Sequence, residues 1–362
     1  MKLLIAGGGT GGHLFPGIAV AEEFLGRTKG NEVLFVGTWK GIEARVLPKL
    51  GYPLECITAA GIRGKGNVAR AKGLAMFLYG YAQSRKILKE FRPDLVLGVG
   101  GYASAPALLA AKGMQIPRFI HEQNAIPGFT NKMLATVADQ VFISLEESRK
   151  FFPEGRTLLT GNPLRRQILE QVVDGGADER QDDAFHLLVF GGSSGAHRIN
   201  LTLAEVLPFL GEAKGRLRIT HQTGENDLED VTAAYEEHGF QADAVPFIDG
   251  MADAYRWADL IVCRAGATTI AEITACGKPC IFIPYPHAVD DHQRRNAEAL
   301  LKCGAGLVII EKELTGELLA RTIRELMDDP AKLRAMGDAA KGLARLAAAQ
   351  TIVDEMLKAK KQ

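Results

Sequence analysis

A histidine directly after a run of glycines is the first group in this sequence that could do chemistry. Gly7-Gly8-Gly9-Thr10-Gly11-Gly12 follows an apolar run, and His13 comes next. Glycines let a backbone approach a ligand closely, and the free amides at the start of a helix favour anions. A histidine in such a loop can act as a general base near neutral pH. His13 is therefore the candidate base, and the alternative is a helix-capping or core histidine.

The same loop fits G-x-G-x-x-G, the fingerprint of a dinucleotide site, but the acid that completes this site is missing. That acid should stand at the end of the second strand, where it holds the ribose. Here the strand ends Val36-Gly37-Thr38-Trp39-Lys40, which argues against NAD. The chain has no G-x-x-x-x-G-K-[ST] either, which excludes a P-loop.

A second candidate loop lies in the other half of the chain. The apolar run Leu260–Cys263 leads into Arg264-Ala265-Gly266-Ala267-Thr268-Thr269-Ile270-Ala271-Glu272. Small residues at a helix start leave amides for a diphosphate, and Glu272 can accept hydrogen bonds from vicinal ribose hydroxyls. The alternative for Glu272 is an exposed first-turn glutamate favoured by the helix dipole. Further on, Asp290–Ala297 opens a helix whose polar side chains could hold a sugar or simply cap the helix.

Composition and charge narrow the class of protein. The chain has 362 residues, 47% hydrophobic and 24% charged, which predicts a soluble globular protein of two domains. The zero net charge argues against a nucleic-acid binder. Residues 1–165 hold 21 Lys and Arg against 12 Asp and Glu, a balance of +9, and the rest of the chain balances it at −9. The five cysteines form no C-x-x-C pair, and no metal motif accompanies His287 or His292, so we expect reduced cytoplasmic thiols and no metal.

Short apolar runs alternate with helical patterns, which predicts parallel sheets covered by helices on both faces. Leu187–Phe190 runs into Gly191-Gly192-Ser193-Ser194-Gly195 much as the first strand runs into its glycines. We therefore predict two doubly wound α/β domains, a boundary near Gly161-Asn162-Pro163, and ligands at the carboxyl ends of the strands. The predicted strands are Lys2–Ala6, Val33–Val36, Leu95–Gly98, Arg118–His121, Val141–Ile143, Leu158–Thr160, Leu187–Phe190, Arg216–Thr220, Ala244–Phe247, Leu260–Cys263, Cys280–Pro284 and Gly306–Ile309.

Six motifs, in this order along nearly the whole chain, resemble the MurG family. They are Gly8-Gly9-Thr10-Gly11-Gly12-His13, Gly98-Val99-Gly100-Gly101-Tyr102, His121-Glu122-Gln123-Asn124, Gly161-Asn162-Pro163-Leu164-Arg165, Gly191-Gly192-Ser193 and the run from Arg264 to Glu272. The resemblance implies a GT-B fold, which is two Rossmann-like doubly wound parallel-sheet domains facing a cleft. Residues 1–163 would form the acceptor- and membrane-binding domain and 164–345 the UDP-sugar-binding domain, with a C-terminal helix at 346–362 packing back on the first domain.

The resemblance also implies an activity. It is an inverting transfer, without metal or cofactor, of N-acetylglucosamine from UDP-N-acetylglucosamine (UDP-GlcNAc) to an undecaprenyl-diphosphate-linked N-acetylmuramoyl-pentapeptide. The enzyme would serve peptidoglycan synthesis at the cytoplasmic face of the bacterial inner membrane, with other cell-wall enzymes as further partners. One alternative is a UDP-GlcNAc 2-epimerase, which would call for catalytic carboxylates that the glycine loops do not supply. The other is a non-catalytic nucleotide-sugar-binding module.

The resemblance also implies a role for each residue that matches a position in the family's motifs. His13 would be the base, with a carboxylate such as Glu122 the next candidate. Family members often show paired glutamines where this sequence reads His292-Gln293. The donor contacts implied are Thr10, Gly11, Gly12 and Asn124 at the sugar, Arg165 and Ser193 at the UDP, Ile248 at the uracil through its backbone, Ala267, Thr268, Thr269, Ile270, Ala271 and Glu272 at the diphosphate and ribose, and Gln293 at the N-acetylglucosamine.

A membrane-docking surface is predicted in the basic first half. Between Arg63 and Arg92 there are eight basic residues and one acid. An apolar patch rimmed by bases is typical of a membrane-surface helix, and the alternative is a stripe that faces the core. The predicted contacts are Leu74, Phe77, Leu78 and Tyr81, at the i, i+3, i+4, i+7 spacing of one helical face, with Lys72, Arg85 and Lys86 beside them.

Overall fold

Two parallel sheets, one in each half of the chain, organise the structure. It is a computed structural model that describes residues 1–59, 67–174, 183–192 and 195–360, without the side chains of residues 67–71, 173 and 174. The chain divides into a first unit, Met1–Arg165 with Arg345–Gln362, and a second unit, Arg166–Ala344.

The first unit is built on a sheet whose described part has seven strands. The strands are β1 (Lys2–Gly7), β2 (Glu32–Gly37), β3 (Leu54–Cys56), β4 (Leu95–Gly100), β5 (Arg118–Glu122), β6 (Gln140–Ile143) and β7 (Thr157–Leu159). They are all parallel, in the order β3-β2-β1-β4-β5-β6-β7. The helices are α1 (Gly11–Arg27), α2 (Glu43–Lys49), α3 (Asn67–Phe91), α4 (Ser104–Gly113) and α5 (Phe129–Leu134), with a 3-10 helix at Glu146–Phe151.

The second unit repeats this plan with six strands among its described residues. They are β8 (Phe185–Phe190), β9 (Leu217–Gln222), β10 (Gln241–Val245), β11 (Leu260–Cys263), β12 (Cys280–Phe282) and β13 (Leu307–Val308), parallel in the order β10-β9-β8-β11-β12-β13. The helices are α6 (Arg166–Asp174), α7 (His197–Val206), α8 (Leu228–His238), α9 (Met251–Trp257), α10 (Ala267–Cys276), α11 (His292–Lys302), α12 (Gly316–Met327) and α13 (Pro330–Gly342), with 3-10 helices at Leu207–Arg216, Val289–Asp291 and Glu311–Glu313.

The two doubly wound parallel sheets predicted from the sequence are confirmed, and the deviations lie at sheet edges. Each of the twelve predicted strands overlaps an observed one, but β3 is absent from the prediction. The predicted strand at Ala244–Phe247 is wrong by about three residues, because β10 begins at Gln241 and alternates exposed with half-buried side chains. Edge strands such as these lack the continuous apolar run that marks a strand buried on both faces.

The last helix returns to the first unit. Helix α14 (Ala348–Ala359) buries Ile352, Val353 and Met356 in the same apolar cluster as Leu14 and Ile18 of α1. The first unit is therefore closed by residues from both ends of the chain. Among the described helices, none is long and apolar enough to cross a membrane.

A buried polar network lies in the core of the second unit and supports the loop that follows β9. The Asn200 side-chain amide donates to the Thr223 carbonyl at 2.8 Å and to Asp227 Oδ2 at 2.7 Å, so its Oδ1 faces His221 Nε2 at 3.0 Å. His221 Nε2 therefore carries the proton, and Nδ1 accepts from the Tyr235 hydroxyl at 2.9 Å. Burial lowers the pKa of His221 to about 3, so this imidazole is neutral in the folded chain.

We predict that this neutral histidine makes the second unit less stable as the pH falls. Below its ordinary pKa of 6.5, the unfolded chain binds a proton that folded His221 takes up only near pH 3. The stabilisation is thus complete above pH 6.5 and is lost as the pH drops, at about 1.4 kcal/mol per pH unit. Urea unfolding at pH 7, 6 and 5 measures this slope, which His221→Gln should reduce by about that amount. Equal slopes in the two proteins would contradict the assignment.

Candidate active site

Two glycine loops of the first unit touch each other through their backbones at the carboxyl edge of the sheet. A Cβ on Gly101 would lie 2.5 Å from the Gly8 carbonyl oxygen, and one on Gly100 would lie 2.8 Å from His13 Cδ2. Gly8, Gly100 and Gly101 also have φ values of 135°, 99° and 80°, which disfavour other residues. Only glycine at these positions lets the two loops and the His13 ring pack in contact.

His13 lies half-buried in the first turn of α1 with a defined ring orientation. Its Nδ1 is 3.2 Å from the Gly8 carbonyl oxygen and 3.4 Å from Thr10 Oγ1. A carbonyl oxygen can only accept, so we assign the proton of the neutral ring to Nδ1. This tautomer leaves Nε2 with a lone pair that can accept a proton. Gly11 and Gly12 lie beside His13 as the first two residues of α1.

A second histidine of the same edge has a structural role. His121 is 1% exposed, its Nε2 lies 3.2 Å from the Gly161 carbonyl oxygen, and its Nδ1 accepts from the Gln123 amide at 3.1 Å. Burial, with a smaller contribution from the nearby His13, lowers the pKa of His121 to about 4. His121 is therefore neutral near pH 7, and it joins β5 to the segment that follows β7.

Asn124 is held by a buried carboxylate. Glu122, 1% exposed, accepts from the Asn124 backbone at 2.9 Å, the Gly128 backbone at 3.3 Å and the Asn131 side chain at 2.8 Å. Burial raises the pKa of Glu122, and these hydrogen bonds oppose the rise. With its oxygens turned to its own loop, Glu122 is poorly placed as the alternative base. Its role is to fold the loop that presents half-buried Asn124.

Arg165, the predicted UDP contact, is the last residue of the segment Met1–Arg165 in the first unit. Its guanidinium lies 5.3 Å from the centre of the Phe15 ring on α1. Ser193, its predicted companion, lies outside the described residues.

In the second unit, the start of α10 carries the predicted anion site. Gly266 is the N-cap residue, and the first helical bond runs from Ile270 N–H to the Gly266 carbonyl at 2.9 Å, so the amides of residues 267–269 precede the helical ladder. Thr268 Oγ1 is buried and has no hydrogen-bond partner within the described part of the chain. Three amides and one hydroxyl therefore gather where a diphosphate is expected.

Glu272 is not the exposed glutamate of the alternative interpretation. It is 4% exposed, and its Oε2 accepts from the Tyr255 hydroxyl at 3.0 Å. This contact orients a carboxylate one turn into α10.

Gln222, which no sequence motif singles out, joins two loops of the second edge. Its amide donates to the Gly192 carbonyl at 2.7 Å, and its Oε1 accepts from the Ile248 N–H at 2.9 Å. The Ile248 backbone group that Gln222 does not use is the carbonyl, which could accept from the N–H of a uracil. One signal in the sequence could have indicated this role: Gln222 is a polar residue at the end of a buried strand.

Arg264 and Gln293 shape the loop after β12. Arg264 donates to the Ile283 and Pro284 carbonyls at 3.0 and 3.2 Å, and its guanidinium lies 5.4 Å from the centre of the Tyr285 ring. The Tyr285 N–H donates to Gln293 Oε1 at 3.0 Å, which directs the Gln293 side chain toward this loop and keeps its NH₂ as a donor. The sequence alone does not reveal these contacts of Arg264, because the partners lie about 20 residues away.

The predicted membrane residues are split between two environments. Leu74 and Leu78 are exposed, and so are the basic residues Lys72, Arg85 and Lys86. Phe77 and Tyr81, in contrast, are half-buried against the core of the first unit. Tyr79, which lies off the predicted stripe, is 61% exposed. The part of the helix open to a membrane therefore differs from the predicted stripe, and membrane contact stays a prediction.

Metal ligands were not expected from the sequence. Across residues 1–59, 67–174, 183–192 and 195–360, no group of three or more His, Cys, Asp or Glu side chains is arranged to hold a metal ion.

Comparisons with known proteins cover both units. The glycosyltransferase family 28 N-terminal domain matches residues 3–143, and the family 28 C-terminal domain matches residues 186–352. The chain is 84% identical, over 100% of both chains, to the UDP-N-acetylglucosamine--N-acetylmuramyl-(pentapeptide) pyrophosphoryl-undecaprenol N-acetylglucosamine transferase of Geobacter metallireducens.

Among solved structures, it is similar to MurG of Acinetobacter baumannii, at 33% identity, 99% coverage of both chains and a TM-score of 0.81. A UDP-GlcNAc 2-epimerase from Neisseria meningitidis gives a TM-score of 0.69 over 99% of this chain and 100% of that one, but at 15% identity this likeness shows the fold alone. The two parallel-sheet units and these full-length matches show that the chain has the GT-B fold and belongs to glycosyltransferase family 28 and, within it, to the MurG family.

Proposed function

We propose that this chain transfers N-acetylglucosamine from UDP-GlcNAc to undecaprenyl-diphosphate-linked N-acetylmuramoyl-pentapeptide, in peptidoglycan synthesis. The observation that carries the proposal is the full-length, 84% identical relative whose name states this transfer. The glycine-loop edges of both units support it, because a nucleotide-sugar transferase needs one site for an anionic donor and another for the acceptor.

The donor binds at the second edge. The amides of residues 267–269 and the buried Thr268 hydroxyl receive the diphosphate, and the Glu272 carboxylate accepts from the ribose. The Ile248 carbonyl faces the uracil, and Gln293 donates to the sugar. The Arg165 and Ser193 contacts to UDP, and those of Thr10, Gly11, Gly12 and Asn124 to the donor sugar, are part of the same proposal.

The transfer is a single displacement at the anomeric carbon. An acceptor hydroxyl oxygen forms the new bond to this carbon while the bond to the β-phosphate oxygen breaks, so the configuration inverts. His13 Nε2 takes the hydroxyl proton, and Nδ1 keeps its own proton on the Gly8 carbonyl. The amides at the start of α10 stabilise the negative charge that develops on the departing UDP, and no metal takes part.

The 2-epimerase and the non-catalytic module are alternatives that one requirement separates from the transferase. An epimerase converts UDP-GlcNAc without a lipid-linked acceptor, and a binding module does not turn it over at all. Release of UDP that depends on the lipid-linked acceptor fits the transferase alone.

We predict that His13→Ala lowers acceptor-dependent turnover by about 10²–10⁴-fold and leaves UDP affinity nearly unchanged. The base acts on the acceptor proton and not on the nucleotide, so binding and turnover should separate. UDP release with lipid-linked acceptor gives the rate, and calorimetric titration with UDP gives the affinity.

Glu272→Gln is the matched control, since it changes one side chain of the donor site. It should weaken UDP binding by about 10–100-fold, the usual cost of losing a charge-assisted hydrogen bond. A His13→Ala protein that keeps its turnover, or that loses UDP binding together with it, would remove His13 from the role of base.

The lipid-linked acceptor places the enzyme at a membrane, and we assign the contact to α3. Leu74, Leu78 and Tyr79 are exposed on this helix, and Lys72, Arg85 and Lys86 are exposed on it too. Apolar side chains among bases suit the anionic cytoplasmic leaflet, where each base contributes about 1 kcal/mol. The proposed location is peripheral, on the cytoplasmic face of the inner membrane, where other cell-wall enzymes are potential partners.

We predict that the protein sediments with anionic vesicles, and that binding rises with the anionic lipid fraction and falls with salt. Leu78→Ser with Arg85→Glu should weaken sedimentation about tenfold or more and spare UDP affinity. Leu201→Ser with Arg334→Glu makes the same chemical change at exposed positions of the second unit and should have little effect. Equal binding to neutral and anionic vesicles, or none to either, would reject this surface.

A further inference from the structure

A buried carboxylate lies beneath the glycine loop that holds His13. Glu43, the first residue of α2, is 1% exposed. Its Oε2 accepts from the Gly9 N–H at 2.7 Å, and its Oε1 accepts from the Thr38 N–H at 2.8 Å and the Thr38 hydroxyl at 2.9 Å. The side chain therefore ties the loop after β1 to the loop after β2.

Glycines on both loops leave the space that this side chain fills. A Cβ on Gly8 or Gly41 would lie 2.4 or 2.0 Å from the Glu43 carboxylate, and one on Gly37 would lie 2.5 Å from its Cγ. A dinucleotide site would have an acid at the end of β2. In this chain the acid near that position is Glu43, which belongs to α2. It binds the protein's own loop, so the space beneath the glycines belongs to this carboxylate.

Glu43 and His13 bind opposite sides of one peptide group. The Gly8 carbonyl faces His13 Nδ1, and the Gly9 N–H faces Glu43. Both belong to the Gly8–Gly9 peptide, which is planar and trans, so its C=O and N–H point in opposite directions. Fixing the N–H on Glu43 thus fixes the direction of the carbonyl that orients the His13 ring.

This peptide would otherwise rotate easily. It lies between two glycines with φ of 135° and 87°, residues that have the widest choice of backbone conformations. A flip of the peptide plane would turn the carbonyl away from His13 and release the Nδ1 proton. A negative acceptor on the N–H also polarises the peptide, which makes its carbonyl a stronger acceptor for the imidazole.

We propose that Glu43 is a positioning residue for the transfer, acting on His13 through the Gly8–Gly9 peptide. The chain of contacts runs from carboxylate to peptide to imidazole, and it keeps the Nδ1–H tautomer with Nε2 turned to the proton that it accepts. The inference rests on the proposed function, in which His13 is the base.

Glu43→Gln tests this with little change in volume. A glutamine has one accepting oxygen, so its NH₂ must face the Gly9 N–H or the Thr38 N–H, and one tie is lost. Turnover with lipid-linked acceptor should fall about 10–100-fold, the effect of misplacing a reacting group by about 1 Å. KM for both substrates should change less than about threefold, and UDP affinity should stay unchanged. Glu55→Gln, at an exposed position of β3 in the same unit, is the control and should behave as the unmodified chain.

Two further readouts distinguish positioning from general stability. Because Glu43 acts through His13, Glu43→Gln should cost almost nothing in a His13→Ala background, where the single changes are strongly non-additive. Nitrogen-15 NMR of the His13 ring should show a pure Nδ1–H tautomer in the unmodified chain and a mixture in Glu43→Gln. The NMR result stands even if His13 proves not to be the base, so a failure of the proposed function and a failure of this inference can be told apart.

Three outcomes would overturn the proposal. They are unchanged turnover in Glu43→Gln, an equal loss in the His13→Ala background, or a loss of turnover that only parallels lost UDP affinity and lower thermal stability. If Glu43→Gln does not fold, Thr38→Val removes the hydroxyl contact alone and should lower turnover about 3–10-fold, and Thr38→Ser should restore it. Equal rates for Thr38→Val and Thr38→Ser would contradict the proposal as well.

Discussion

The first edge depends on one peptide group held from both sides. The Gly8–Gly9 peptide receives the Glu43 carboxylate on its N–H and offers its carbonyl to His13. A Cβ on Gly8 would meet the Glu43 carboxylate, and one on Gly101 would meet the Gly8 carbonyl oxygen. Among the described residues, Gly9 has open space around it, and its φ of 87° is what favours glycine there. Fixing these flexible glycines in one conformation costs conformational entropy, and the buried hydrogen bonds offset that cost. In the proposed mechanism, the ring of the base His13 is thus oriented by groups that take no part in the reaction.

The second edge has the same arrangement of strand, turn and helix, but the amides of residues 267–269 donate to no side chain among the described residues. The amides that begin α10 precede the helical ladder, and the buried Thr268 hydroxyl has no partner among the described residues. A buried hydroxyl without a hydrogen bond costs about 1–3 kcal/mol. An anionic ligand would recover that cost, which is the physical reason to assign the diphosphate to this edge. The loop groups of the first edge bind one another and orient His13, whereas those of the second edge are proposed to bind the diphosphate.

The fold was largely predictable because strands buried on both faces are continuous apolar runs. The prediction failed at edge strands such as β3 and β10, where polar side chains interrupt the run. The position of the glycine loops, His13 and the start of α10 at the carboxyl edges of the sheets was also predictable, since glycine and small residues mark close backbone approach. Helical spacing alone could not show which face of α3 meets the core. Phe77 of the predicted stripe packs against that core, and Tyr79, off the stripe, is exposed.

The side chains that the sequence alone does not reveal as important have one feature in common. Glu43, Gln222 and Arg264 act on backbone groups of segments that only the tertiary structure brings near them. Gln222, for example, binds Gly192 and Ile248, which are about 30 residues away on either side. A glutamate six residues after a strand looks like any helix-start acid. Its contact with the glycine loop becomes evident only in the tertiary structure, where Gly8, Gly37 and Gly41 surround it.

The central claim is a division of labour, in which the second edge binds the nucleotide through backbone amides and the first edge holds the base. Hydrogen exchange followed by mass spectrometry, with and without saturating UDP, tests it most directly. The account predicts slower exchange in the peptides that cover residues 266–272 and 246–250, and unchanged exchange in those that cover residues 8–13 and 38–43. Protection concentrated at residues 8–13, with none at 266–272, would contradict it.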